Sequence, residues 1–184
     1  MKTLFIAFGL LLLVGCSAMP GMPGYISKTE SSYNGAIQYD MEPGFVYRGN
    51  DSFSGADLFM SLSWNTKMKD DILLIAHISR LSSILRSNSL HFMIDGDEVS
   101  LSSIGTFTDR RYEPGVYSTT YIPGTSYASR TYVVKVSFIE RLINANDVRV
   151  KLDTSDGYVS GYFSNDTTSS AVSAFRDFME KVKG

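Results

Sequence analysis

Thr131-Tyr-Val-Val-Lys-Val-Ser-Phe-Ile-Glu-Arg-Leu-Ile-Asn-Ala-Asn-Asp-Val-Arg-Val-Lys-Leu-Asp153 is the stretch whose reading decides the fold. Two periodicities meet in it. Tyr132, Val134 and Val136 recur every second residue and predict the buried face of a strand. Ser137-Phe-Ile-Glu140 has the spacing of a capping box and predicts the start of a short helix, with Phe138, Ile139, Leu142 and Ile143 on one face. Asn144-Ala-Asn146 ends that helix. Val148, Val150 and Leu152 then alternate with Asp147, Arg149, Lys151 and Asp153, which places every charge on the solvent side of a half-exposed sheet.

Working outward from this core, Ser155-Asp-Gly157 predicts a turn into a strand over Tyr158 to Phe163. Val172, Phe175, Phe178, Met179 and Val182 form an apolar stripe at helical spacing, with Thr167 or Thr168 as cap and Asp177 four residues before Lys181. Upstream, Leu58, Met60, Leu62 and Trp64 alternate with Phe59, Ser61, Ser63 and Asn65, a strand with one buried face. Asp71 to Ser79 reads as a compact buried strand, although Leu74, Ile78, Leu81 and Leu85 also sit at helical spacing. Ser89 to Ile94 and Val99 to Ser102 flank Asp95-Gly96, whose tolerance of positive φ predicts a tight hairpin. The weak patterns Ala36-Ile-Gln-Tyr39 and Phe45-Val-Tyr47 read as edge strands. Together the pattern predicts the α+β class: a mostly antiparallel sheet with one short inserted helix and a C-terminal amphipathic helix.

The first residues carry an address rather than a fold. Lys2 precedes an uncharged apolar run from Leu4 to Val14. Eleven helical residues span roughly 16 Å, whereas crossing a bilayer takes about 20 residues, so the run is too short for an anchor. It ends in Leu13-Val14-Gly15-Cys16, and Cys16 is the only cysteine among 184 residues. This ending resembles the lipobox of bacterial lipoproteins. The resemblance implies a signal peptide over residues 1–15, acylation of Cys16 after cleavage, and membrane attachment through lipid. Three acyl chains would hold firmly where one holds marginally. Ser17, not being acidic, resembles the residue that permits sorting to the outer membrane, facing the periplasm. Residues 16–24 read as a lipidated tether, whose stretch from Ser17 to Gly24, with its doubled Met-Pro-Gly, reaches no more than about 29 Å. Residues 25–184 read as a single periplasmic domain. The order of elements over residues 131–182 is similar to that in uncharacterised bacterial envelope proteins, a resemblance that brings no activity with it.

Composition narrows the function classes. The chain has 17 basic and 19 acidic residues, and losing Lys2 with the leader leaves 16 against 19. A net charge of this sign argues against a nucleic-acid partner. With Cys16 acylated, no thiol remains for a disulfide, a metal site or a nucleophile. Nucleotide-binding glycine patterns are absent, so no cofactor is implied. Gly124-Thr-Ser126-Tyr-Ala128 carries half of a nucleophile elbow, in what reads as a loop.

His77 and His91 are the only histidines and would make a zinc site only by sharing a face with carboxylates; a hydrogen-bonded histidine in each strand explains them as well. No metal site is expected. Asp95, Asp97 and Glu98 lack the ligand ladder of a calcium loop. Asp109, Glu113, Asp153 and Asp156 could serve a glycosidase only if folding brought a pair into one cleft. The candidate binding surface is Arg110, Arg111, Tyr112, Tyr117, Tyr121, Tyr127 and Arg130, around Pro114-Gly115 and Pro123-Gly124. Tyrosine and arginine in this density suit recognition of a protein or a cell-wall glycan. They equally suit cross-strand packing beside two turns. The function expected is a non-catalytic binding or structural envelope protein. The alternatives are a hydrolase using clustered carboxylates and an outer-membrane assembly or stress factor.

Overall fold

The computed structural model describes residues 22–48, 56–80, 82–86, 88–105, 107–113, 116–117, 121–122, 125–163 and 170–184. The leader, Cys16, the tether as far as residue 21, both Pro-Gly pairs at 114–115 and 123–124, and Thr167 and Thr168 lie outside the described residues.

The chain is sheet-dominated α+β. Its strands are β1 (Ile26–Glu30), β2 (Ile37–Met41), β3 (Gly44–Arg48), β4 (Leu58–Asn65), β5 (Asp71–Ile78), β6 (Leu90–Ile94), β7 (Asp97–Leu101), β8 (Asp109–Glu113), β9 (Val116–Tyr117), β10 (Tyr121–Ile122), β11 (Thr125–Lys135), β12 (Val148–Thr154) and β13 (Gly157–Tyr162). The helices are α1 (Val136–Asn144) and α2 (Ser170–Lys183). Eleven strands join in the order β7-β6-β12-β13-β3-β4-β5-β11-β8, with β2 on the far end of β4 and β1 beyond it. The pairings are antiparallel.

Period two sets the inside and the outside. Leu58, Met60 and Leu62 on β4 stand opposite Ile78, Ala76 and Leu74 on β5, which stand opposite Ala128, Arg130 and Tyr132 on β11; all are buried. Leu90, Phe92 and Ile94 of β6 meet Leu152, Val150 and Val148 of β12 in the same way. The apolar residues of these faces form one cluster, which also includes Ile139 and Leu142 of α1 and Phe175, Phe178 and Met179 of α2. The sheet also curls. Ser103, just past β7, bridges Tyr132, and the Ile104 amide donates to the Thr131 carbonyl at 2.9 Å, so the β7 end of the order reaches β11 near its other end.

Two readings of the sequence are corrected here. Neither segment read as an edge is one: β2 pairs with β1 on one side and β4 on the other, and β3 joins the two halves of the sheet, pairing with β4 through Gly44–Val46 and with β13 at Tyr47 and Arg48. The pattern of β3 is weak because it is short and changes partner midway, while Gly44 lies directly against Ala171 of α2. The capping box is not formed either. The residue capping α1 is Lys135, extended at φ −75°, ψ 149°, with no side-chain cap, and Val136 is already helical. The Val136 amide donates to the Asp70 carbonyl at 2.8 Å, so a backbone group from the β4–β5 turn takes the place a serine was expected to fill.

The Asp95-Gly96 hairpin forms as its residues dictate. Both have positive φ, 49° and 94°, and Ile94 pairs directly with Asp97. Asp95 Oδ1 also accepts the amides of Asn146 and Asp147, at 3.0 and 2.9 Å, tying this turn to the start of β12. No helix among the described residues is long and apolar enough to cross a membrane.

Candidate functional site

The residues facing outward on β4, β5, β11 and β8 form rows across four strands. In one row Phe59 stands beside His77, His77 beside Ser129, and Ser129 beside Asp109. Tyr127 pairs with Arg111 in the neighbouring row. With Glu42 and Pro43 from the β2–β3 turn, these side chains line a cavity of about 430 Å³, a size suited to a small ligand, roughly 300–1,000 Å³. Phe59 is fixed edge-on between Phe45 and Tyr127, with ring centroids 5.6 and 6.4 Å away.

His77 shares a hydrogen bond of 2.8 Å between Nε2 and the Ser61 hydroxyl. Burial lowers its pKa from 6.5 to about 4, so the ring is neutral at pH 7. It therefore offers one donor and one acceptor rather than a charge. Ser61 is only 3% exposed. The pair has the shape of the first two members of a nucleophilic triad, but a base of such low pKa takes up a proton poorly near neutrality.

Among the residues proposed from sequence, Arg110, Arg111 and Tyr112 lie on β8, the last strand of the order, and Tyr127 lies beside them on β11. Tyr112 is 64% exposed, Tyr127 half-buried. Tyr117 and Tyr121 pair through their backbones in a separate two-stranded ribbon, and their side chains lie outside the described residues. Arg130 is a correction: it is 3% exposed and points inward, with Nη1 donating to Ser103 Oγ at 2.9 Å and Nη2 to Thr108 Oγ1 at 3.3 Å. β11 begins at Thr125, earlier than the pattern suggested, so Arg130 shares the inward parity of Tyr132 and Val134. For the same reason Ser126 belongs to a strand and not to a loop.

The histidines do not converge. His77 is on β5 and His91 on β6, with β4, β3, β13 and β12 between them in the sheet order. His91 is held by Ser100 Oγ at 2.8 Å and Asp153 Oδ2 at 2.9 Å. Asp153 also meets Lys151 at 3.2 Å. Asp156 accepts hydrogen bonds from Ser82 and Thr154, which, with Arg80 nearby, hold its pKa below the ordinary carboxylate value. The cavity holding Asp109 is lined by neither Asp153 nor Asp156. The Glu113 side chain lies outside the described residues. Among the described residues no three His, Cys, Asp or Glu side chains are grouped to hold a metal ion.

The parts missed from sequence were Phe59 and His77 as members of one wall, with Ser61 bonded to His77 behind it. Parity carried the signal, since Ile72, Leu74, Ala76 and Ile78 bury the even positions of β5 and leave His77 on the opposite face. The chain matches no family, no curated protein and no solved structure.

Proposed function

We propose that the chain is an outer-membrane lipoprotein, anchored through acylated Cys16 and facing the periplasm, whose domain binds a cell-wall glycan at the β8–β11 end of the sheet without catalysing a reaction. Leu13-Val14-Gly15-Cys16 supports the anchor. The observation that carries the binding reading is the wall made by Phe59, His77 and Tyr127, with Asp109 and Arg111 beside it. Sugar rings pack their apolar faces on aromatic side chains, and their hydroxyls pair with neutral and charged hydrogen-bonding groups; this wall offers both. On this reading the short inserted helix and the amphipathic terminal helix are scaffold, closing the core behind the sheet.

The test is a titration of the protein with soluble cell-wall fragments, followed by the amide and ring signals of β5, β8 and β11. Saturable shifts confined to these strands are expected, and Tyr127→Ala moves their midpoint to about tenfold higher ligand concentration. Shifts that are absent, or that keep the same midpoint in that variant, overturn the glycan reading.

A second reading is a protein partner. It is favoured by Tyr112, exposed on β8, which ends the sheet order and has one strand partner among the described residues, leaving a side for pairing there. A photo-crosslinker at Tyr112 joining one envelope protein, with none joined from Tyr33 (95% exposed and remote in sequence), would favour it. An assembly or stress role would follow from either kind of binding. The clustered-carboxylate hydrolase gains no support, since Asp153 and Asp156 are each engaged elsewhere.

A further inference from the structure

A second cavity, of about 500 Å³, is lined by Ser83, Leu85, Arg86, Phe107, Arg110 and Arg130, among others. Three guanidinium groups surround it. Arg130 is only 3% exposed, and its Nε is a buried side-chain atom without a hydrogen-bond partner. Its other contacts are the hydroxyls of Ser103 and Thr108, and Arg110 donates to the Ser83 hydroxyl at 2.8 Å. Among the described residues, no carboxylate pairs with Arg86, Arg110 or Arg130.

A buried cation without a counter-charge is costly unless something neutralises it. The chain as a whole is acidic, so three arginines around one hollow with no acid are not a consequence of composition. The Thr108 hydroxyl cannot relieve Arg130 further, because it already donates to the Ile84 carbonyl and accepts the Ile84 amide, both at 3.1 Å. Guanidinium groups bind oxyanions through paired, charge-assisted hydrogen bonds.

We propose that this cavity is an oxyanion site of the phosphate class, held by Arg130 from below and by Arg86 and Arg110 at its mouth. The volume exceeds that of a bare phosphate and leaves room for a substituent. Phe107, 84% exposed, and Leu85 supply an apolar rim against which that substituent rests. The anion is either a free phosphate or the phosphodiester of a lipid headgroup. Arg110 lines both this hollow and the Phe59–His77 cavity, but the oxyanion proposal rests on Arg130 and Arg86, which line only this one, and not on the glycan reading.

The test uses the full chain in a non-ionic detergent, titrated with inorganic phosphate and with glycerophosphoglycerol, the deacylated headgroup of phosphatidylglycerol. Binding is read by calorimetry and by the thermal midpoint, against chloride at matched ionic strength. Saturable binding and a raised midpoint, absent with chloride, are expected for at least one probe. Arg86→Ala, at an exposed position lining this cavity, weakens binding about tenfold or more, and Arg130→Met abolishes it. Tighter binding of phosphate supports a free anion, and tighter binding of the headgroup supports a lipid. No saturable binding of either probe, or equal affinity in Arg86→Ala, overturns the site. If Arg130→Met does not fold, Arg86→Ala alone decides.

Discussion

The Ser61 hydroxyl lies 2.8 Å from Nε2 of His77, on neighbouring strands and on the outer side of the sheet. The contact can be read as the start of a catalytic triad or as the satisfaction of a half-buried imidazole. The His77 pKa of about 4 favours the second, and it makes the pair testable.

The first test is pH. His77 titrates near 4 in the folded protein against 6.5 when exposed, so between these values the unfolded chain binds more protons. Stability therefore rises with pH across this window. The contribution is complete above pH 6.5 and is lost as pH falls through about 4, amounting to roughly 3 kcal/mol at the extremes. Urea unfolding at a series of pH values should show this slope, and His77→Gln should flatten it. An unchanged slope in the variant would place the titration elsewhere.

Ser61→Ala separates hydrolysis from binding. It removes one partner of a buried hydrogen bond and should cost about 1 kcal/mol of stability. Affinity for cell-wall fragments should stay within about twofold, since Ser61 does not line the cavity. A hydrolytic activity that disappears in Ser61→Ala would establish the nucleophilic reading instead.

Gly44 is where the sheet and α2 come closest. A Cβ there would meet Cα of Ala171 at 2.7 Å and its backbone nitrogen at 3.0 Å, backbone atoms that cannot swing aside. Gly44→Ala should destabilise the protein by about 1–3 kcal/mol in equilibrium unfolding, as overpacking does. Ala171→Gly does not restore it, because the clash is with the main chain. No loss of stability would mean that β3 and α2 are not packed this closely.

Tyr127→Ala should reduce glycan affinity about tenfold, the scale of a lost aromatic anchor, and should leave the fold intact. Tyr112→Ala is the paired measurement. It should leave glycan affinity within about twofold, because Tyr112 does not line the cavity, and a larger effect there than at Tyr127 would shift the account to a protein partner.

Much of the fold was legible because strands in this chain bury one face. β12 alternates cleanly, Leu58, Met60 and Leu62 mark the buried face of β4, and Asp95-Gly96 fixes its own hairpin. The Asp71–Ile78 run, ambiguous by spacing, is a strand because both its neighbours supply ladder partners. The failures have one origin, which is that distant contacts decide them. Ile26-Ser-Lys-Thr-Glu30 carries no pattern because it is a largely exposed outer strand. β3 reads as an edge until its second partner, β13, is known. α1 begins early because Asp70, far back in sequence, holds its first amide. Of the candidate surface residues, Arg110, Arg111 and Tyr112 fall together on β8 with Tyr127 beside them, whereas Arg130 is buried and not on the surface. Extending the parity of Tyr132 by two residues would have placed that arginine inside.

The account rests on where the domain is displayed, and the direct measurement is the intact mass of the protein extracted from the membranes of its own host. The mass predicted is that of a chain lacking residues 1–15 and carrying acyl groups on Cys16. A mass showing residue 16 unmodified, or the leader still attached, would contradict the anchor and the placement that follows from it.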